Sequence, residues 1–241
     1  MQKAGIRLIL LLIILSACSQ TRQVRSLDNR WRFSLRNARG AEKAMFDDSQ
    51  WRVVDVPHDW SVEGGFAKDN STGKAGGFLL AGVGWYRKDF SLGRDVARKR
   101  VFVDFDGVMA NSDVWINGQH LGHRPNGYVS FEYELTPFVH AGENVLAVRC
   151  DNSLQPASRW YSGAGIYRHV RLVITNPLHV EHWGTFVSTP TVSADHAVVK
   201  VENRVVNEGV GAANIAVRTT IVDPAGKAVA SQIASGQQIA A

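Results

Sequence analysis

Basic runs, helical periodicity, long apolar stretches and cysteine are all scarce in this 241-residue sequence, and each scarcity removes a class of protein. Lys and Arg number 27 against 22 Asp and Glu, a net charge of +5 without a cluster. Nucleic-acid binding calls for a concentrated basic stripe, so no nucleic-acid partner is expected. Apolar residues seldom recur at helical spacing, which argues against a helical fold. The one strongly apolar run, "LILLLIIL" at residues 8–15, is too short to span a bilayer comfortably. Two histidine pairs, His120 with His123 and His179 with His182, have no cysteine or positioned carboxylate beside them. Two ligands do not close a zinc site, so these are expected as surface histidines. "STGKAGGF" is similar to part of a phosphate loop but lacks the full spacing and the following helix. Neither a metal nor any other cofactor is implied.

What is present begins at the N-terminus. "MQKAGIR" is a short positive region before the apolar run, and "LSAC" follows at residues 15–18. This resembles the bacterial lipobox. Ser16 and Ala17 are small enough to admit a peptidase, and the thiol of Cys18 accepts a diacylglycerol. An ordinary signal peptide or a single-pass anchor is the competing reading, but neither needs a cysteine at that position. Residues 1–17 are then a removed leader, and residues 18–25 a lipidated, polar, mobile tether to a membrane. No acidic cluster follows Cys18, so the expected place is an exported one, anchored to a bacterial membrane and facing the periplasm. The second cysteine, Cys150, alternates with Leu146 and Val148 in "NVLAVRCDN". It is expected in the core as a small hydrophobe, with no disulfide and no catalytic role.

Elsewhere the pattern repeats every two residues. Val101, Val103 and Phe105 share one face of "RVFVDFDGV", and Val114 with Ile116 share one face of "SDVWING". Asn117-Gly118 is the dipeptide of a type I′ hairpin turn. Further strands read as "WRFSLR", "WRVVDV", "VGWYRKDFSL", "SFEYELT", "NVLAVRCD" and "HVRLVIT". About eight antiparallel strands over residues 26–176 describe a β-sandwich of the jelly-roll kind. Asn176-Pro177 closes it. Beyond, Val199, Val201 and Val205 face one way while Lys200, Glu202 and Arg204 face the other, and "DPAG" turns between two strands. Residues 177–241 therefore read as an immunoglobulin-like sandwich. That fold needs about 100 residues, so it is expected to be incomplete, and the chain truncated.

Five stretches carry more than fold. "VPHDWS" (56–61), "GWYRKDF" (84–90), the segment from Val101 to Val139, "GENVLAVRCDN" (142–152) and "RWYSGAGIYRHVRL" (159–172) occur in this order. Together they resemble the N-terminal sugar-binding domain of glycoside hydrolase family 2, above all its β-galactosidases. The resemblance is strong over residues 26–176 and weaker beyond. It implies a galactose-binding-like jelly roll, then an immunoglobulin-like domain, then a (β/α)8 barrel holding both catalytic glutamates. By that resemblance the whole protein is a retaining O-glycosyl hydrolase, and this chain contributes to the sugar pocket without catalysing.

The resemblance also places the segment 159–168 beside the mouth of the active site. Its glycines let the backbone approach a neighbour closely, and Arg159, Trp160 and Tyr161 are the candidates for sugar contact. At the position matching Arg159 relatives carry an acidic residue, so a cation here is a departure. Asp59 and Trp60 offer a carboxylate and an aromatic face to a sugar, or else a turn cap and a core residue. Residues 63–84 read as a flexible loop near the substrate entrance. A retaining glycosidase holds two carboxyl groups roughly 5–5.5 Å apart. Glu132 and Glu134 are the nearest approach to a pair, and they read as a solvated strand face. No catalytic residue is assigned, and the missing barrel is the implied partner alongside carbohydrate. A stand-alone carbohydrate-binding lipoprotein is the alternative, and an adhesion sandwich is a third reading that the ordered motifs disfavour.

Overall fold

The computed structural model describes residues 22–155 and 157–241. Cys18, the leader and the first part of the tether lie outside the described residues. The first unit contains β1 (Arg22–Ser26), β2 (Trp31–Ser34), β3 (Arg52–Val54), β4 (Val83–Leu92), β5 (Arg100–Phe105), β6 (Ser112–Ile116), β7 (Gln119–Arg124), β8 (Phe131–Glu134), β9 (Gly142–Asp151) and β10 (Val170–Thr175). They form a six-stranded sheet in the order β3-β2-β4-β9-β6-β7 and a four-stranded sheet in the order β1-β10-β5-β8. Every described strand pair is antiparallel.

The two-residue alternation builds the core. Val101, Val103 and Phe105 from one sheet meet Val114, Ile116, Leu146, Val148 and Cys150 from the other, all fully buried. Each such aliphatic side chain contributes about 1.5–3 kcal/mol relative to an exposed one. The Asn117-Gly118 turn has φ of 51° and 88°, the left-handed pair that a type I′ hairpin requires. Its return strand is β7, which "QHLGHR" did not announce because it lacks a buried face.

The tether expectation needs a correction at its end. Residues 22–25 belong to β1, paired in register with β10 from Arg22 opposite Thr175 to Ser26 opposite Arg171. A polar strand is stable here because its backbone groups complete a sheet edge and its side chains stay wet. The segment expected as a flexible loop is also more organised than its glycines suggested. Thr72 is buried and its hydroxyl donates to Leu79 O at 2.7 Å, while Asn70 Nδ2 donates to Phe78 O at 2.8 Å.

The second unit is two hairpins, β11 (Leu178–Val192) with β12 (Ala197–Asn207), and β13 (Ala213–Val222) with β14 (Ala228–Ile239). Val199, Val201 and Val205 do share one face, and they look across an open cleft of about 620 Å³ toward Ile215, Val217 and Ile221. Asp223 Oδ1 accepts from the Ala225 and Lys227 amides at 3.0 and 2.9 Å, closing the turn between β13 and β14.

The units meet over the outer face of β5 and β8. Arg100 forks onto Glu208 at 2.8 and 2.6 Å and reaches Glu134 at 3.1 Å. His182 Nδ1 lies 3.0 Å from Glu132, and the His179 ring packs near Phe102. Glu132 and Glu134 are thus not a solvated face, and His179 and His182 are not free on the surface. The second unit covers this strand face, a fact invisible to strand periodicity.

Candidate functional site

The rim at one end of the jelly roll gathers the residues singled out above. A short helix, α1 (Trp60–Glu63), opens with Asp59 as its cap, and Asp59 Oδ1 accepts from the Ser61 amide at 3.0 Å. The other oxygen of Asp59 accepts a short hydrogen bond from the Tyr161 hydroxyl. Burial, then the neighbouring Asp59 carboxylate, push the Tyr161 phenol upward, so it remains a neutral donor at physiological pH. Trp160 stands beside it, 66% exposed. Ser158 Oγ donates to Trp160 O at 2.6 Å and lies 3.1 Å from Ser162 Oγ, which shapes the turn presenting that ring. Arg159 is exposed, with no side-chain partner among the described residues.

The backbone after Trp160 is seated by two glycines. Asn152 holds Gly163 through its Nδ2, at 3.2 Å from Gly163 O. Gly165 exchanges both backbone hydrogen bonds with Met109, at 2.8 and 2.7 Å. At φ of 90°, a Cβ on Gly165 would collide with the Tyr86 hydroxyl and lie 2.9 Å from the Trp60 ring. That answers why a glycine stands among aromatics here: the chain passes directly over two buried rings.

Trp60 is one of those rings. It is 2% exposed and stacks on Phe33 at 5.7 Å between ring centroids. The expectation that it offers a face to sugar is corrected, since that face is occupied by the core. Asp59, Trp160 and Tyr161 are brought together at the rim, whereas Trp60 supports the rim from beneath. Sequence reasoning missed the polar set that fixes this support. His58 Nδ1 lies 2.7 Å from Tyr86 Oη, and its backbone amide donates to Ile166 O at 2.8 Å. His58 Nε2 lies 3.0 Å from an Arg52 nitrogen and 3.1 Å from Glu63 Oε1. The signal available was position: His58 directly precedes Asp59, and alternation in β4 turns Tyr86 inward.

An exposed indole and a carboxylate–phenol pair on a rigid sandwich rim suit the apolar face and hydroxyls of a sugar ring. Comparison with known proteins decides the lineage. Residues 24–177 match the family described as "Glycosyl hydrolases family 2, sugar binding domain". The chain belongs to glycoside hydrolase family 2. It is 47% identical over 229 residues to the β-galactosidase BoGH2A of Bacteroides ovatus, covering 92% of this chain and 27% of that protein. A β-glucuronidase of Formosa agariphila is 33% identical over 237 residues, covering 87% of this chain and 24% of that one. Among solved structures, a family 2 member from Bacteroides cellulosilyticus superposes with a TM-score of 0.84 at 40% identity, over 90% of this chain and 28% of that one. The chain thus spans about a quarter of the length of these relatives, and what it matches is their N-terminal sugar-binding region.

Proposed function

We propose that this chain is the non-catalytic, sugar-binding front of an exported glycosidase of the β-galactosidase type. In this reading the rim of Asp59, Tyr161 and Trp160 forms one wall of a pocket, and a barrel elsewhere in the whole protein supplies the chemistry. The observation that carries it is the sugar-binding family match over the jelly roll, joined to an exposed aromatic on the rim. The β-galactosidase at 47% identity supports the galactosidase type, and the β-glucuronidase relatives make glucuronate the competing sugar.

The chemistry explains the division of labour. A retaining glycosidase places one carboxyl group to protonate the leaving oxygen and a second, about 5–5.5 Å away, to attack the anomeric carbon. At the rim Asp59 is committed to the Ser61 amide and the Tyr161 hydroxyl. Glu132 and Glu134 face His182 and Arg100 beneath the second unit. Arg159, exposed on the same loop, provides a donor toward sugar hydroxyls. Cys18 is proposed as the lipid attachment point, with the protein tethered to a membrane and facing the periplasm.

The decisive experiment compares the purified chain with the same chain joined to a family 2 barrel. The chain alone is expected to show no turnover of an aryl β-galactoside and at most weak galactose binding. The joined protein is expected to turn over, with Trp160→Ala weakening binding. Hydrolysis by the chain alone, abolished by one carboxylate substitution within it, would overturn the proposal. For the anchor, Cys18→Ala should release the protein from membranes, and an unmodified Cys18 by mass spectrometry would end that part.

A further inference from the structure

His58 is buried at the junction of the two supports beneath the rim loop. Along the chain it precedes Asp59, which accepts from the Tyr161 hydroxyl. Across the sheet its Nδ1 lies 2.7 Å from Tyr86 Oη, the oxygen over which Gly165 passes so closely that a Cβ would collide with it. Its backbone amide donates to Ile166 O at 2.8 Å. Trp160 therefore stands on a loop with two seats, one at Tyr161 and one at Gly165 and Ile166. Both trace back to one imidazole.

The far side of that imidazole meets opposite charges. Its Nε2 lies 3.0 Å from an Arg52 nitrogen of β3 and 3.1 Å from Glu63 Oε1 of α1, and Arg52 and Glu63 also pair with each other. Asp59, at the α1 cap, is a further negative neighbour, and the Phe33 ring of β2 packs edge-on at 4.7 Å. A guanidinium only donates and a carboxylate only accepts, whereas a neutral imidazole does one at each nitrogen. The neutral ring can take the Arg52 hydrogen at Nε2 and give its own to Tyr86 Oη. A protonated ring donates at both nitrogens, so Arg52 loses its acceptor and stands beside a like charge. Burial holds the imidazole below its ordinary value of 6.5; Glu63 opposes this and Arg52 reinforces it.

We propose that His58 is a positioning residue for the rim: its neutral imidazole seats the Trp160–Tyr161 loop, and proton uptake displaces Arg52, reverses the Tyr86 hydrogen bond and loosens that seat. The consequence for sugar affinity rests on the sugar reading of the rim, while the coupling from His58 to Trp160 rests on the contacts themselves.

A pH titration of the full chain, with nitrogen-15 in its tryptophan indoles, tests it. The Trp160 N–H resonance, identified by its loss in Trp160→Phe, is expected to move in one step with its midpoint below the ordinary imidazole value. It should stay still in His58→Gln. Two substitutions at half-exposed side chains should shift the midpoint in opposite directions, which a merely structural histidine would not do. Glu63→Gln removes the attraction that favours the charged ring and should lower it; Arg52→Gln removes the repulsion and should raise it. Methyl β-galactoside, followed by the same resonance, is expected to bind about fivefold more weakly below the step than above it, with no such change in His58→Gln. A Trp160 resonance that does not titrate, one that titrates equally in His58→Gln, or a midpoint unmoved by both surface substitutions would overturn the proposal. So would a galactoside affinity that ignores the step. A titrating Trp160 with no galactoside bound at any pH would support the positioning role and remove the sugar reading instead, so the two fail separately.

Discussion

Tyr161 donates its hydroxyl hydrogen to Asp59, a residue 102 positions earlier in the chain. This bond ties the rim loop to the cap of α1 and sets the angle at which Trp160 meets solvent. Tyr161→Phe should lower stability by about 1 kcal/mol, the ordinary net worth of one partly exposed hydrogen bond. Asp59→Asn keeps a side-chain acceptor for the Ser61 amide and should cost about as much. A double-mutant cycle by urea denaturation checks the coupling, and strictly additive effects would show that the bond does not form in solution.

Gly163 and Gly165 both have positive φ, 93° and 90°, yet their replacement should differ sharply. At Gly163 a Cβ would meet Asp59 Oδ2 at 3.6 Å, an ordinary contact. Gly163→Ala should therefore cost only the backbone strain, about 1–2 kcal/mol. Gly165→Ala adds the collision with Tyr86 and Trp60, and should exceed it by at least about 1–3 kcal/mol. Thermal melts of the two variants decide the matter, with equal losses contradicting the close approach.

Burial holds the His58 imidazole below its ordinary value of 6.5, against the opposing attraction of Glu63. The unfolded chain then takes up a proton more readily than the folded one. The stability tied to a neutral His58 is therefore complete above its ordinary value and declines as pH falls through it. Melting temperatures should drop between about pH 7.5 and pH 5.5, with a shallower drop in His58→Gln. Parallel slopes for the two proteins would remove His58 as the responsible group.

Cys150 is fully buried, and burial pushes its thiol well above the ordinary range. Reaction needs the exposed thiolate, so a thiol reagent should label it slowly in buffer and rapidly in denaturant. Rapid labelling of the folded protein would mean that β9 has another register.

Arg87 is a charged side chain only 2% exposed. It donates to Asp48 at 2.7 Å and to the carbonyls of Ala41, Lys43 and Ala44 at 2.6, 2.9 and 3.1 Å. Arg87→Met should strand Asp48 and those carbonyls, costing about 3–5 kcal/mol, and should expose the segment around residues 41–48 to limited proteolysis. A protease-resistant, fully stable Arg87→Met protein would contradict this.

The strands and their buried faces could be read from the residues alone, because alternation of apolar side chains is a local property that the pleat converts directly into an inside and an outside. Val101, Val103, Phe105, Leu146, Val148 and Cys150 were legible for that reason, as were the Asn117-Gly118 turn and the family motifs. Other features depend on which distant segments meet, and they emerged only in the folded chain. Whether Trp60 faced sugar or core turned on Gly165 passing over its ring, far along the chain. Glu132 is held away from solvent because His182 of the second unit lies against it, and Arg87 could be buried because a loop some 40 residues away supplies its acceptors. Periodicity records how often a residue turns inward; it carries no record of what waits there.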